Sequence, residues 1–177
     1  MIKKGQLPRL SREWYQGNAF VFWTFTLEDR RTGWLTPAFH ALFREVLLHA
    51  AIRYRLLVPV YCLMPDHLHW VGVGLSAGSD QRNATAFLRK FLTVRSGGVP
   101  RWQRQPHDHV LTEERRERHA FVAACHYVLE NPVRAELVSR ASEWPFSGCM
   151  APGYPVLSVH DPGYWSRFWK IYEESLE

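Results

Sequence analysis

Runs of strand-like residues alternate with helical stripes along the first half of the chain. Residues 19–27 are rich in aromatic and β-branched side chains, which is typical of a strand, and residues 56–63 and 67–75 repeat that character. Between the first two runs, Thr36-Pro37 offers an N-cap followed by proline, and apolar residues from Phe39 to Tyr54 recur at helical spacing. The pattern predicts strand, helix of about five turns, strand and strand.

The pattern then predicts two more helices with an ambiguous stretch between them. Residues 80–96 place apolar side chains on one helical face and are followed by two glycines, which end a helix. Thr112 can cap a third helix, which Pro132 ends or kinks. Residues 101–111 are ambiguous and fit a short edge strand. This order predicts an α+β fold, in which helices pack on a ferredoxin-like antiparallel sheet.

The composition changes towards the C-terminus. Residues 148–162 are rich in proline and glycine and are typical of a linker. Residues 164–176 have the apolar spacing of an amphipathic helix. We therefore expect a main domain over residues 1–150 and a C-terminal tail, helical in part, over residues 151–177.

Composition excludes several classes of protein. With 46% hydrophobic residues, the chain has enough apolar surface for a sizeable core. No run of about eighteen apolar residues occurs, so no membrane span is expected. The three cysteines are far apart and form no CxxC pair, which argues against a zinc–thiolate site and favours a reducing, cytoplasmic compartment.

The charge pattern is suggestive of nucleic acid. Lysine and arginine total 22 against 17 acidic residues, and the excess is clustered and interleaved with tryptophan. Basic groups can contact phosphates while flat aromatic rings stack on bases. On charge alone, a solvated surface with core tryptophans is the better interpretation. The candidates for DNA contact are Arg82, Arg89, Lys90, Arg95, Arg101, Trp102 and Arg104.

A histidine pair is the most informative polar feature. His67 and His69 lie in a strand-like run, and side chains two residues apart leave a strand on the same face. Two buried imidazoles need partners, and a divalent metal ion is the functional candidate. Hydrogen bonds to backbone or water are the alternative. Two ligands fit an open catalytic site better than a four-ligand structural site, and we expect Asp66 to point to the opposite face.

Tyr127 and Asn131 are a second candidate pair. On a helix, Tyr127 follows the small residues Ala120, Ala123 and Ala124, so a substrate can approach its phenol closely. Packing of the ring onto the sheet is the alternative. Asn131 shares the face of Tyr127 if the helix persists, and its amide oxygen could serve as a third ligand. Alternatively, Asn131 and the following proline cap and start a new short helix.

Three segments of the chain resemble a known family. The segment MPDHLHWVGV is followed about sixty residues later by YVLENPVRAELV and then by EWPFSG. This combination resembles the HUH single-tyrosine transposases, and in particular the REP-associated tyrosine transposases, over residues 19–148. Where that family commonly has glycine, this chain has Glu136, a change that lies outside the chemistry.

The resemblance implies a function and a set of roles. His67 and His69 would be the metal ligands, Tyr127 the nucleophile and Asn131 a helper ligand, with Mg²⁺ or Mn²⁺ as the ion. Residues 1–150 would form the catalytic domain. The implied activity is nicking and rejoining of single-stranded, hairpin-containing DNA through a covalent 5′-phosphotyrosine, by a monomer or homodimer. Two alternatives stay open: a noncatalytic single-stranded nucleic-acid-binding module, and a small metallohydrolase that uses water.

Overall fold

Five antiparallel strands form one sheet in the order β4-β1-β3-β2-β5. The structure, a computed structural model, describes residues 10–176, so the ends of the predicted domain and tail (residues 1–9 and 177) lie outside the described residues. The strands are β1 (Phe20–Thr26), β2 (Leu56–Leu63), β3 (His67–Gly74), β4 (His107–Val110) and β5 (Ser147–Met150). The helices are α1 (Pro37–Arg53), α2 (Gln81–Arg95), α3 (Glu113–Arg116), α4 (Arg118–Leu129), α5 (Asn131–Arg134) and α6 (Tyr164–Ser175).

The predicted fold class is confirmed. The elements β1-α1-β2-β3-α2-β4 follow each other in the ferredoxin-like order, and the ambiguous stretch 101–111 contains the edge strand β4. The fifth strand was not predicted, because residues 147–150 are short and lie beside the proline- and glycine-rich segment. They pair with β2 and extend the sheet at its other edge.

Helices cover both faces of the sheet. The face that carries Trp23 and Trp70 packs against α1 and α2. The other face carries Phe20 and Val71 and packs against α4 and α6. The tail helix α6 is therefore part of the core, since its Tyr164 and Phe168 are buried there. No helix in the described part of the chain is long and apolar enough to cross a membrane.

The predicted third helix is divided into two. Thr112 precedes α3, but Glu117 has extended backbone angles (φ −51°, ψ 134°) and separates α3 from α4. The consequence of this break is that α4 begins at Arg118 and carries Tyr127 near its C-terminal end.

Gln81 connects the start of α2 to the sheet. Its side chain is 0% exposed and donates to the carbonyls of Ala19 (2.7 Å) and Gly72 (3.1 Å), while its oxygen accepts from the Trp23 indole (3.1 Å). Gln81→Leu leaves these buried groups unsatisfied and is expected to lower the free energy of unfolding by about 3 kcal/mol. Urea denaturation measures this, with the exposed Gln103→Leu as control. A loss below about 1 kcal/mol contradicts it.

Candidate active site

The two histidines of β3 meet at their Nε2 atoms. His67 and His69 lie on the sheet face that packs against α4, and their Nε2 atoms are 3.0 Å apart. The two rings are nearly perpendicular, at 83° with centroids 4.7 Å apart. The strand geometry thus brings two imidazole nitrogens to one point, as their spacing in the sequence predicted.

The other nitrogen of each ring is held by an oxygen. The Asp66 carboxylate lies 2.6 Å from Nδ1 of His67, and the Thr24 hydroxyl lies 2.9 Å from Nδ1 of His69. The prediction that Asp66 points away was wrong, because Asp66 belongs to the turn before β3, where strand alternation does not apply. An oxygen on Nδ1 fixes ring orientation and directs Nε2 outward, which is how metal-ligating histidines are usually supported.

Burial, with a contribution from neighbouring charges, keeps His69 neutral. Burial, the neighbouring His67 and Arg134 lower the pKa of His69 to about 3. A neutral imidazole has a lone pair available for a cation. Burial opposes ionisation of Asp66, but hydrogen bonds from His67 and Arg30 lower the pKa of its carboxyl. Asp66 is therefore a charged acceptor for the Nδ1–H of His67.

Tyr127 reaches the same region from α4. Its side chain is 64% exposed, and the guanidinium carbon of Arg134 lies 3.7 Å from its ring centroid. The same guanidinium donates to the Tyr127 carbonyl at 3.0 Å. Ala120 and Ala124, two of the three small residues noted in the sequence, line the groove beside Tyr127. Arg134 therefore holds the exposed phenol ring from one side.

Asn131 lies at the junction of α4 and α5 and borders the same groove. It is the first residue of α5, so the prediction that it caps a new helix was wrong. Its amide nitrogen instead donates to the Val128 carbonyl (3.0 Å) at the end of α4, and its oxygen accepts from Arg134 (2.8 Å). The amide oxygen is thus shared with a cationic donor and keeps one further lone pair.

These side chains line one groove of about 510 Å³. His69, Tyr127 and Asn131 all border it, and Nε2 of His67 lies against His69. Within residues 10–176, no group of three or more His, Cys, Asp or Glu is placed to hold a metal ion. An ion bound by the histidine pair would therefore draw its remaining ligands from Asn131, water or substrate oxygens.

Two parts of the site were not identified from the sequence. Arg134 lies in the NPVRA segment, and its spacing of three residues from Asn131 on a helix could have indicated contact. His107 and His109 line the groove from β4, in the stretch that the sequence left ambiguous. The alternation of His107, Asp108 and His109 on an edge strand was the available signal.

The basic candidates on α2 lie across the sheet from the groove. Arg89 donates to the carbonyls of the 103–104 segment, and Arg95 pairs with Glu45 at 2.6 Å. Arg82 stacks over the Tyr15 ring at 5.7 Å, and Lys90 is exposed. These side chains do not reach the groove, and they stay candidates for contact with DNA that lies outside it.

Trp102 is a core residue. It is 8% exposed, and its ring packs edge-to-face against Phe25 and Trp34 at 5.6 and 5.8 Å between centroids. The prediction that it stacks on bases was wrong, because both flat faces are enclosed by the protein. Its neighbours Arg101 and Arg104 are exposed and stay predicted phosphate contacts.

Two histidines make stability depend on pH in metal-free protein. Burial and neighbouring positive charge lower the pKa of His69 to about 3 and that of His40 to about 4, below the 6.5 of the unfolded chain. The unfolded state therefore binds more protons, and stability is lost as pH falls from about 6.5 towards these values. We expect the free energy of unfolding to drop by about 1 kcal/mol from pH 7 to 4.5.

Urea denaturation in EDTA at the two pH values measures this dependence. His40→Gln and His69→Gln should each flatten it, because glutamine does not titrate. His119→Gln, at an exposed position of α4, should leave it unchanged. Equal stability of the wild-type protein at pH 7 and 4.5 contradicts the prediction.

Comparison with known proteins gives a consistent result. No family model matches the chain. The REP-associated tyrosine transposase of Escherichia coli (strain K12) is 26% identical over 140 residues, covering 77% of this chain and 79% of that protein. A relative with the same family name, from Haemophilus influenzae (strain ATCC 51907 / DSM 11121 / KW20 / Rd), is 22% identical over 152 residues, covering 77% and 82%.

A solved structure shares the fold. It is a REP-associated tyrosine transposase bound to a REP hairpin, with a TM-score of 0.67 and 22% identity over 81% of both chains. Sequence relatives, fold and motifs agree in their similarity to the REP-associated tyrosine transposases.

Proposed function

We propose that this protein is a metal-dependent single-strand DNA endonuclease and strand transferase that acts on hairpin-containing DNA through a covalent 5′-phosphotyrosine. One observation carries the proposal: His69, Tyr127 and Asn131, from three separate segments, line one groove beside the Nε2 atom of His67. The name of the relatives and the REP hairpin in the related structure support the same substrate class.

The donor set of the groove fits a divalent cation. His67 and His69 would hold it through Nε2, and the free lone pair of the Asn131 oxygen could supply a third contact. Imidazole nitrogens are suitable ligands for Mn²⁺, and the oxygens of water and phosphate are suitable ligands for Mg²⁺. When bound, such an ion supplies positive charge that offsets the negative charge developing on a scissile phosphate.

Tyr127 is the proposed nucleophile. Its phenol oxygen attacks phosphorus, a bond from that oxygen to phosphorus forms, and the bond from phosphorus to the 3′ oxygen breaks. The phenol proton passes to solvent, and the departing 3′ oxygen takes up a proton. The products are a free 3′-hydroxyl and a 5′-phosphotyrosine. Stacking of Arg134 on the ring restricts the orientations of Tyr127, so less entropy is lost on reaching the reactive geometry.

Joining is the reverse of cleavage. The phosphotyrosine is still a phosphodiester, so another 3′-hydroxyl can attack it and regenerate Tyr127 without ATP. His69 and Tyr127 of one chain line the same groove, which favours use of the tyrosine in cis. We assign this chemistry to residues 1–150, with the exposed Lys90, Arg101 and Arg104 as proposed phosphate contacts.

Two other functions would require different residues in the site. A noncatalytic binding module does not need the exposed phenol of Tyr127. A water-using metallohydrolase needs a further protein ligand or base, and Asp66 is the nearest carboxylate in the described chain. Because its oxygens are engaged by Nδ1 of His67 and by Arg30 (2.6 and 2.8 Å), Asp66 supports the ring rather than the reaction.

Trapping the covalent intermediate tests the proposal. The protein is incubated with Mn²⁺ and a hairpin oligonucleotide that carries single-stranded extensions and a label on its 3′ end. Denaturing electrophoresis is expected to show a labelled protein–DNA adduct, which EDTA prevents and protease removes. Shortened DNA without an adduct would indicate hydrolysis by water, and binding without either product would indicate the noncatalytic module.

A further inference from the structure

The edge strand β4 forms one wall of the groove. The register pairs His107 with Thr24 and His109 with Phe22, so all four side chains point to the face that also carries His69. Both histidines of β4 line the groove. Because His107 lies two strands away from His69, about 10 Å at the usual strand spacing, it is too far to share one cation with that residue. The β4 wall is thus a separate part of the same groove.

The β4 wall carries hydrogen-bond donors and positive charge. Arg115 lies against it, and its guanidinium donates to Nε2 of His109 at 2.7 Å. The acid of β4 is turned away, since Asp108 points to the opposite face and accepts a hydrogen bond from the Tyr15 phenol. None of the twelve described side chains that line the groove is acidic. A polyanion can therefore enter without meeting a like charge.

The floor between the β4 wall and α4 is apolar. Phe22 and Leu111 contribute an aromatic ring and an aliphatic side chain, and Ala120 and Ala124 contribute only methyl groups. A nucleobase can pack against such a surface, and small side chains on α4 leave room for it. The volume of about 510 Å³ lies within the range of pockets that bury small ligands.

We propose that the β4 wall binds the nucleotide next to the scissile phosphate. His107, His109 and Arg115 contact the phosphate of that nucleotide, and its base packs against Phe22 and Leu111. This site holds single-stranded DNA in register so that the neighbouring phosphodiester faces the Tyr127 phenol. The inference rests on the proposed function, because it defines its nucleotide relative to the bond that Tyr127 attacks.

Binding of modified DNA tests the β4 wall separately from cleavage. The probe is a fluorescent hairpin oligonucleotide in which each phosphate of the single-stranded extension is replaced in turn by an uncharged methylphosphonate. Fluorescence anisotropy with the Tyr127→Phe protein gives the dissociation constant without cleavage. We expect one replacement to weaken binding about tenfold. His107→Ala/His109→Ala, which removes both donors, should weaken binding of unmodified DNA by a similar factor.

The loss of affinity caused by the methylphosphonate and the loss caused by the double variant should not be additive. If the histidines contact the phosphate that was neutralised, the double variant binds modified and unmodified DNA equally well. His119→Gln, a histidine on the exposed side of α4, should bind both as the parent protein does. The β4 site is overturned if the two losses of affinity are additive at every position of the extension. It is also overturned if the double variant binds unmodified DNA with full affinity. Absence of cleavage by the wild-type protein instead overturns the proposed function, whatever the binding data show.

Discussion

Tyr127→Phe is expected to abolish the covalent adduct and to reduce DNA cleavage by about 10³-fold or more, while hairpin affinity stays within about twofold. The change removes the attacking oxygen and keeps the ring on which Arg134 stacks at 3.7 Å. Within the described chain, the phenol oxygen of Tyr127 takes part in no hydrogen bond, so its removal should leave stability unchanged. Cleavage, adduct formation and anisotropy are measured on the same labelled hairpin.

A tyrosine outside the groove provides the matched control. Tyr154→Phe removes a hydroxyl that contacts Glu174 of α6, away from the histidine pair, on a side chain that is 37% exposed. It should retain cleavage and adduct formation. If Tyr127→Phe protein cleaves DNA at the wild-type rate, the nucleophile is water or another side chain, and the strand-transfer mechanism is wrong.

Local sequence signals were sufficient for the elements that form the ferredoxin-like unit. The Thr36 hydroxyl accepts from the Phe39 amide at 3.1 Å, so the predicted N-cap of α1 exists. The alternation in β3 put His67 and His69 on one face, because the period of a strand is two regardless of what packs on it. These features depend on neighbouring residues, and neighbouring residues are what a single sequence displays.

Features that depend on distant pairing were missed or misjudged. The strand β5 has only four residues, and its partner β2 lies about ninety residues earlier in the chain. Trp102 was read as a ligand-binding ring because it stands among arginines, yet Phe25 and Trp34 enclose it. Which face of the sheet a helix covers is also set by topology, so composition could not show that α2 lies opposite the groove.

The candidate site depends both on local patterns in the sequence and on contacts between distant segments. His67, His69, Tyr127 and Asn131 were each identified from local pattern and family resemblance, and the fold brings the last three to one groove with His67 against His69. Their supports were not identified: Asp66 and Thr24 hold the imidazoles, and Arg134 holds the phenol ring. The Thr24 contact depends on the pairing of β1 with β3, which local sequence does not show. Asp66 and Arg134 lie close in sequence to the residues that they hold, but the turn before β3 and the junction of α4 with α5 set their directions.

His69→Gln is expected to remove both the response to Mn²⁺ and DNA cleavage. An ion bound only by the folded state stabilises it by about 2.7 kcal/mol at a hundredfold excess over its dissociation constant. For a chain of this size, that corresponds to a rise in melting temperature of about 5–10 °C. Glutamine keeps the volume of histidine, but its flexible amide is not a ring that Thr24 can orient towards the Nε2 atom of His67, 3.0 Å away in the wild-type protein, so the rise should vanish.

Three matched variants separate ligation from support. His67→Gln should behave like His69→Gln, because both Nε2 atoms are needed at one point. Asp66→Asn leaves both imidazoles in place and weakens the acceptor at Nδ1 of His67 together with the exposed contact to Arg30, so it should lower Mn²⁺ affinity about tenfold and recover cleavage at higher Mn²⁺ concentration. His119→Gln should respond to Mn²⁺ as the wild-type protein does. A full thermal shift in His69→Gln would place the cation elsewhere in the molecule, and the histidine pair would then be a structural contact that serves only to hold β3 beside Thr24.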